Sequence, residues 1–194
     1  MELGGPPLSA LGPGRGVGND FQGGAGTGLG VGVGRFDHRQ GPRGGGRPKK
    51  SSAPCECLGH SRGGFTTKVH AVIDALGNGV HFDLTPGEQA DCLLVSDLLA
   101  ALPEKPGKVV ADKAYDTNAV LASVAAHQAE AVVPPKSNRL VQREYDANLY
   151  DDRNKIERCF GRLKQSRAFA TRYDKTALSF LAVVHIAAAL DWLR

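Results

Sequence analysis

The sequence predicts an α/β protein built on a mixed sheet, and three observations carry that expectation. Two alternating runs rich in β-branched residues flank a glycine-containing turn, short apolar strands then alternate with segments of helical period, and a long apolar helix closes the chain. The first 57 residues have a different character. They hold most of the 25 glycines and show no sustained apolar periodicity. Such a segment cannot bury enough surface to offset its ordering entropy, so the expected organisation is a disordered Gly/Pro/Arg-rich segment, 1–57, followed by a folded region, 58–194.

Within the folded region, FTTKVHAVID from Phe65 to Asp74 alternates, Gly77-Asn78-Gly79 supplies a turn, and VHFDLT resumes the alternation, so a hairpin is expected. Glu88 to Leu102 places Leu93, Leu94, Val95, Leu98, Leu99 and Leu102 in a helical period and is closed by Pro103 and Pro106. KVVA, Lys108 to Ala111, reads as a short buried strand, with Asp112 directly after it. A helix over Asp116–Gln128, with apolar Val120, Leu121, Val124 and Ala125, leads to a strand at Ala131–Val133 that stops at Pro134-Pro135. A polar loop with Lys136, Ser137, Asn138 and Arg139 precedes a helix over Tyr150–Lys164, and Thr176–Arg194 forms the last helix. The order strand, strand, helix, strand, helix, strand, helix, helix gives the mixed sheet.

Composition narrows the setting. No apolar run approaches the roughly 18 residues a spanning helix needs, and the N-terminus lacks a charged segment followed by an apolar one. Cys55, Cys57, Cys92 and Cys159 have neither zinc spacing nor an evident disulfide framework, which fits a reduced cytoplasm. Five scattered histidines, His60, His70, His81, His127 and His185, have no ligand spacing and read as structural. The net charge of +4 only permits a polyanionic partner, but Lys136, Arg139, Arg143, Arg153, Lys155, Arg158, Arg162, Lys164, Arg167, Arg172 and Lys175 crowd the C-terminal third. A flexible basic turn at Arg62-Gly63-Gly64 is a weaker DNA contact.

The helix over Tyr150–Lys164 carries two stripes. Leu149, Ile156, Phe160 and Leu163 form the apolar one; at about 100° per residue, Tyr150, Arg153, Glu157 and Lys164 fall in a sector beside it. A carboxylate with an Arg one turn before it and a Lys two turns after it suits a site for metal and phosphate. A solvated helix with an ordinary i, i+4 Arg–Glu pair fits the same residues. Asp112, at the C-terminal end of a buried strand, lies where a parallel sheet presents side chains to a crevice. The competing role of an Asp capping the next helix is expected of Asp116 instead. Should Asp112 and Glu157 converge, their oxygens would hold hard divalent cations.

Tyr150-x2-Arg153-x3-Glu157-x6-Lys164 resembles the signature around the last catalytic carboxylate of bacterial insertion-sequence transposases of the DDE type. VVADKAYD, Val109 to Asp116, resembles the segment with their second catalytic Asp; His60–Asp91 is similar to their preceding strands and Arg172–Leu193 to their closing helix. The likeness starts near Leu58. It implies a ribonuclease H-like sheet with flanking helices, its first strand missing or unrecognisable here, and catalytic, metal-binding Asp112 and Glu157 with Mg2+ or Mn2+. It implies DNA cleavage and strand transfer by two-metal phosphoryl transfer on double-stranded element ends and target, by a homodimer on DNA at the nucleoid. Tyr150, Arg153, Arg158, Arg162, Lys164 and Arg167 would contact DNA, Arg153 and Lys164 at non-reacting phosphates. Tyr150 either stacks on a base or positions a phosphate, or packs the helix start. A non-catalytic DNA-binding remnant and a metal-dependent nuclease are the alternative readings.

The family needs a third carboxylate, an Asp in a Val-Asp-Ser-Thr-like strand before the hairpin, and no such motif precedes Leu58. Gly34 to Pro42 can, however, be back-translated so that dropping one base yields Val-Asp-Ser-Thr-Ile-Val-Arg-Ala. The expectation is that residues 1–57 are an out-of-frame translation of the enzyme's own N-terminal region. Asp37 is then no substitute for the lost Asp, and with only Asp112 and Glu157 metal binding is expected to be weak and strand transfer absent.

Overall fold

The computed structural model of the protein describes residues 29–39, 56–61 and 64–194. Its sheet is organised on β3, Gly64–Ile73, which pairs antiparallel with β4, Gly79–Pro86, with the short β2, Gly59–Ser61, and with β1, Leu29–Arg39. β1 continues the sheet in parallel to β5, Pro106–Ala111, and β5 in parallel to β6, Glu130–Val132. An antiparallel hairpin joined through a central strand to a parallel pair is the ribonuclease H-like arrangement. The hairpin turn depends on Gly77, whose φ of 93° is a conformation side-chain-bearing residues rarely adopt; Asp74 Oδ1 accepts from the amides of Leu76 and Asn78 around it.

Strand alternation divides the core into two layers. Val69, Ala71 and Ile73 face Ile156, Phe160 and Leu163 of α4, Asn154–Leu163, and Phe180 and Val184 of α6, Ala177–Trp192. Val72, Val109 and Ala111 face the other way, onto Val95, Leu98 and Leu99 of α1, Val95–Ala100, and Val120 and Val124 of α2, Asn118–Ala126. Helices thus cover both faces, and β3 is buried on each. Its polar residues are matched accordingly: His70 Nε2 meets Thr85 Oγ1 at 2.7 Å, and Lys68 Nζ donates to Gln89 O at 2.6 Å and Asp91 at 3.0 Å.

Element types follow the sequence, with three departures. The helix expected over Glu88–Leu102 is a 3-10 turn, Asp91–Leu93, followed by α1. The helix expected over Tyr150–Lys164 begins earlier, as α3, Ala147–Tyr150, a 3-10 turn at Asp151–Arg153, then α4. α5, Arg167–Ala170, is an extra turn before α6.

The expected loss of the first strand is corrected: Leu29–Arg39 occupies the slot between β3 and β5. Glycine content argues against a strand here, but that slot satisfies backbone N–H and C=O groups on both sides, and pairing of this kind overrides local propensity. A boundary at 57 is also too late. The Glu56 carboxylate accepts the Ala177 amide at 3.0 Å, its carbonyl accepts Arg172 Nη2 at 3.0 Å, and Cys57 O accepts Thr67 Oγ1 at 2.6 Å. Residues 1–28 and 40–55, the rest of the segment expected to be disordered, lie outside the described residues, as do Arg62 and Gly63. No helix among the described residues is long and apolar enough to cross a membrane.

Candidate active site

β5 fixes the first carboxylate. Val109 and Ala111 point to the α1/α2 layer, so alternation sends Val110 and then Asp112 toward α4. The chain turns there into a 3-10 segment, Lys113–Tyr115, and Asp112 Oδ1 accepts the Lys113 amide at 3.0 Å. The same oxygen accepts the Tyr150 hydroxyl at 3.1 Å. The Tyr150 ring lies 5.8 Å from the Arg153 guanidinium, and Arg153 Nη1 donates to Glu157 Oε1 at 2.8 Å. Asp112 and Glu157 are therefore joined by a continuous contact chain through Tyr150 and Arg153. Burial, and then the hydrogen bond to Asp112, raises the Tyr150 pKa above its ordinary value, so the phenol stays protonated and donates.

α4 separates its two stripes as expected. Ile156, Cys159, Phe160 and Leu163 are buried, whereas the Glu157 side chain is 58% exposed. Cys159 faces away from Glu157 into the core, and burial pushes its thiol up to about 11, which leaves it unreactive. Cys57 and Cys92 are thiols of intermediate burial, the Cys57 Sγ donating to Leu84 O at 3.4 Å, and His70 and His127 are engaged structurally, the latter through Nδ1 and Ser123 O at 2.8 Å.

The basic residues divide into two groups. Arg158, Lys164 and Arg167 are exposed at or beyond α4 and can meet DNA phosphates. Arg162, also expected to contact DNA, is engaged within the fold: its Nε donates to Asp191 at 2.8 and 3.0 Å, and its Nη2 to Gly77 O at 2.7 Å, tying α6 and the hairpin turn to α4. Arg172 is wholly buried, bonded to Thr67, Glu56 O and Asp174 O with its guanidinium 5.3 Å from the Phe180 ring. Sequence position could not distinguish these two from their exposed neighbours, because the side chains that hold them, Asp191 and Thr67, lie 29 and 105 residues away.

Asp116 also departs from expectation. Thr117 caps α2, accepting the Val120 amide at 3.2 Å. Asp116, with no side-chain exposure, accepts Arg139 Nε and Arg143 Nη2 at 2.6 Å each and the Lys136 amide at 2.8 Å. Desolvation alone would raise its pKa; the Lys136 amide and then the two guanidiniums outweigh it and leave the pKa below the usual Asp value. A buried Asp demanding long-range partners has no local sequence signature.

Among the described residues no three acidic, His or Cys side chains form a metal-sized cluster. The open groove between β4 and α6, lined by Phe82, His185 and Trp192 among others, is apolar and contains neither carboxylate.

The fold sets an Asp at the end of β5 and a Glu on α4 at the two ends of one contact chain. Comparison with known proteins makes this specific. Residues 109–194, spanning both carboxylates, match the family described as a transposase DDE domain. A Brucella ovis protein described as a putative transposase for insertion sequence element IS6501 is 40% identical over 131 residues, 67% of this chain and 100% of that protein. The chain belongs to the DDE-type insertion-sequence transposases. Solved structures of the Mos1 transposase are more distant. The paired-end complex with the left transposon end covers 82% of this chain at 14% identity and a TM-score of 0.36, and the mariner paired-end complex with Mn covers 83% at 14% and 0.37. The chain spans about half the length of those Mos1 chains (52% and 53%), and likeness at that level bears on neither site nor chemistry.

Proposed function

We propose that Asp112 and Glu157 are two of the three carboxylates of a transposase active site acting on double-stranded DNA, and that the third is missing from this chain. The contact chain Asp112–Tyr150–Arg153–Glu157 carries the reading, because it brings the strand end and the helix face to one place. The donor set fits a hard divalent cation, Mg2+ or Mn2+, through carboxylate oxygens. Such an ion, when bound, supplies activation of water or a DNA 3′-hydroxyl and stabilisation of the departing oxygen. The chain's own residues do the positioning. Tyr150 holds Asp112 through its hydroxyl, and Arg153 orients Glu157 through one amino group and can turn the other to an approaching phosphate. Arg158, Lys164 and Arg167 neutralise non-reacting phosphates of element end and target. Assembly as a homodimer on DNA, at the nucleoid of the cytoplasm, belongs to the same reading.

The missing carboxylate is assigned to a change of reading frame before Glu56. The integration of Glu56 and Cys57 supports a return to frame no later than residue 56. A DNA-binding remnant without catalysis is the second reading, favoured by the absence of a three-carboxylate cluster among the described residues.

The test combines the gene sequence with cleavage of the element's ends by the purified chain in Mg2+. The expected results are Val-Asp-Ser-Thr codons in the shifted frame and no strand transfer. A shifted frame without those codons, or cleavage that Asp37→Ala abolishes, contradicts the proposal.

A further inference from the structure

α6 buries Phe180, Val184, Ala187 and Ala188 on one face, and its opposite face, though exposed, is apolar as well. No Asp, Glu, Lys or Arg occurs from Ala177 to Leu190. A helix apolar all round belongs in an interior, yet a stripe of Leu178, Ala182, Ile186, Ala189 and Leu193 lies exposed along about 22 Å of this one, with Leu178 at 78%, Ile186 at 61% and Leu193 at 83% exposure. Single exposed apolar residues are ordinary, but a continuous stripe at the spacing of a helix–helix seam marks a contact surface. Its order is palindromic: Leu178 and Leu193 lie outermost, Ala182 and Ala189 inside them, and the step from His185 to Ile186 at the centre. Beside the C-terminal half of the stripe runs the groove between β4 and α6, about 480 Å3 in volume. Phe82, Ala189 and Trp192 wall it, and Trp192 is held there by Nε1 donating to Gly79 O at 2.9 Å.

We propose that a second copy of this chain docks on this face: two α6 helices pack antiparallel about a twofold axis, Ala182 of each against Ala189 of the other, and Leu178 of each enters the groove beside the other's Trp192. In naming a homodimer this rests on the assembly proposed above, but not on the metal site or on DNA, since the contact forms without either. A palindromic stripe is complementary to its own copy across a twofold, which is what an isologous contact requires. The two alanines let the helix axes come close on either side of the centre. Lacking charge along its length, the stripe meets its copy without repulsion and offers nothing to a phosphate, so nucleic acid is not its occupant. The groove lies at the end of the stripe where the second copy's Leu178 arrives. Asp191, just past the stripe's centre of contact, holds Arg162 of α4, so pairing α6 also sets the two helices that carry Glu157 in a fixed relation.

The experiment is sedimentation velocity of the full chain without DNA over a range of micromolar concentrations. A single dimer in exchange with monomer is expected. Ile186→Asp, next to the twofold, is expected to leave a monomer at every concentration. Ala182→Lys and Ala189→Glu are each expected to weaken the dimer about tenfold or more, because each places an unpaired charge in the contact. An equal mixture of these two variants is expected to recover a dimer within about threefold of the parent, because the new cation of one chain meets the new carboxylate of the other. All three positions are exposed, so the variants are expected to keep the parent's far-ultraviolet circular dichroism. A parent chain that stays monomeric, or that forms a ladder of larger species, overturns the proposal, as does a dimer that survives Ile186→Asp. A mixture no tighter than its separate components overturns the antiparallel register. None of these results touches the assignment of Asp112 and Glu157, which Mn2+ binding reads separately.

Discussion

Two arginine–carboxylate clusters flank the candidate site. Around Asp116, two guanidiniums close to 2.6 Å on a carboxylate with no exposure; around Glu157, one guanidinium lies 2.8 Å from a side chain that is 58% exposed. The chemistry is the same and the burial is not. A desolvated carboxylate cannot lose its partners without leaving an uncompensated charge in the interior, so the Asp116 cluster is architecture. An exposed i, i+4 pair contributes only a few tenths of a kcal/mol, on the order of 0.3–0.5, so Arg153 can release Glu157 when a better partner arrives. Reactivity is available where the ion pair is weak.

Asp116→Ala breaks the strong side of this comparison and carries the largest expected effect, a loss of about 3–5 kcal/mol in urea unfolding. The pH dependence has a definite sign. The folded pKa of Asp116 is depressed, so its contribution is fully present above the unfolded value of about 3.9 and is lost as pH falls through the lower folded value. Asp116→Asn should flatten that acid limb of a stability–pH curve; an unchanged limb would mean the cluster is not charged as described.

Arg162 sharpens the contrast from between the extremes, because its partner Asp191 is 8% exposed and its own side chain 36%. Arg162→Ala is expected to lose about 1–3 kcal/mol and to leave the salt dependence of DNA binding unaltered. A drop in salt slope with intact stability would return Arg162 to the DNA-facing group. Arg153→Ala should change stability by no more than about 0.5 kcal/mol. Replacing Arg158 and Arg167 by Gln should be neutral for folding and lower the log–log salt slope of duplex binding by about 0.9 for each phosphate contact removed.

What was legible in the sequence was local. The period of Ile156, Phe160 and Leu163 located both stripes of α4, and alternation through Val109 to Ala111 located Asp112 and its direction. Long-range pairing was not legible. Arg162 and Arg172 look like their exposed neighbours until α6 and Thr67 come into view, and Asp116 looks like a helix cap until residues 136–143 fold over it. β1 was missed for the same reason. Its glycines weigh against a strand locally, and only the open slot between β3 and β5 makes Leu29–Arg39 extended. The Tyr150–Asp112 hydrogen bond joins residues 38 apart and has no signature in the sequence, which offers Tyr150 only a base, a phosphate or the helix start.

The proposed sharing of a cation by Asp112 and Glu157, in a site short of one carboxylate, is open to Mn2+ titration of the purified chain by electron paramagnetic resonance, with Asp112→Asn and Glu157→Gln alongside. Weak binding is expected, with a dissociation constant on the order of a millimolar, abolished by either substitution. Tight binding, or binding that survives both substitutions, would contradict it.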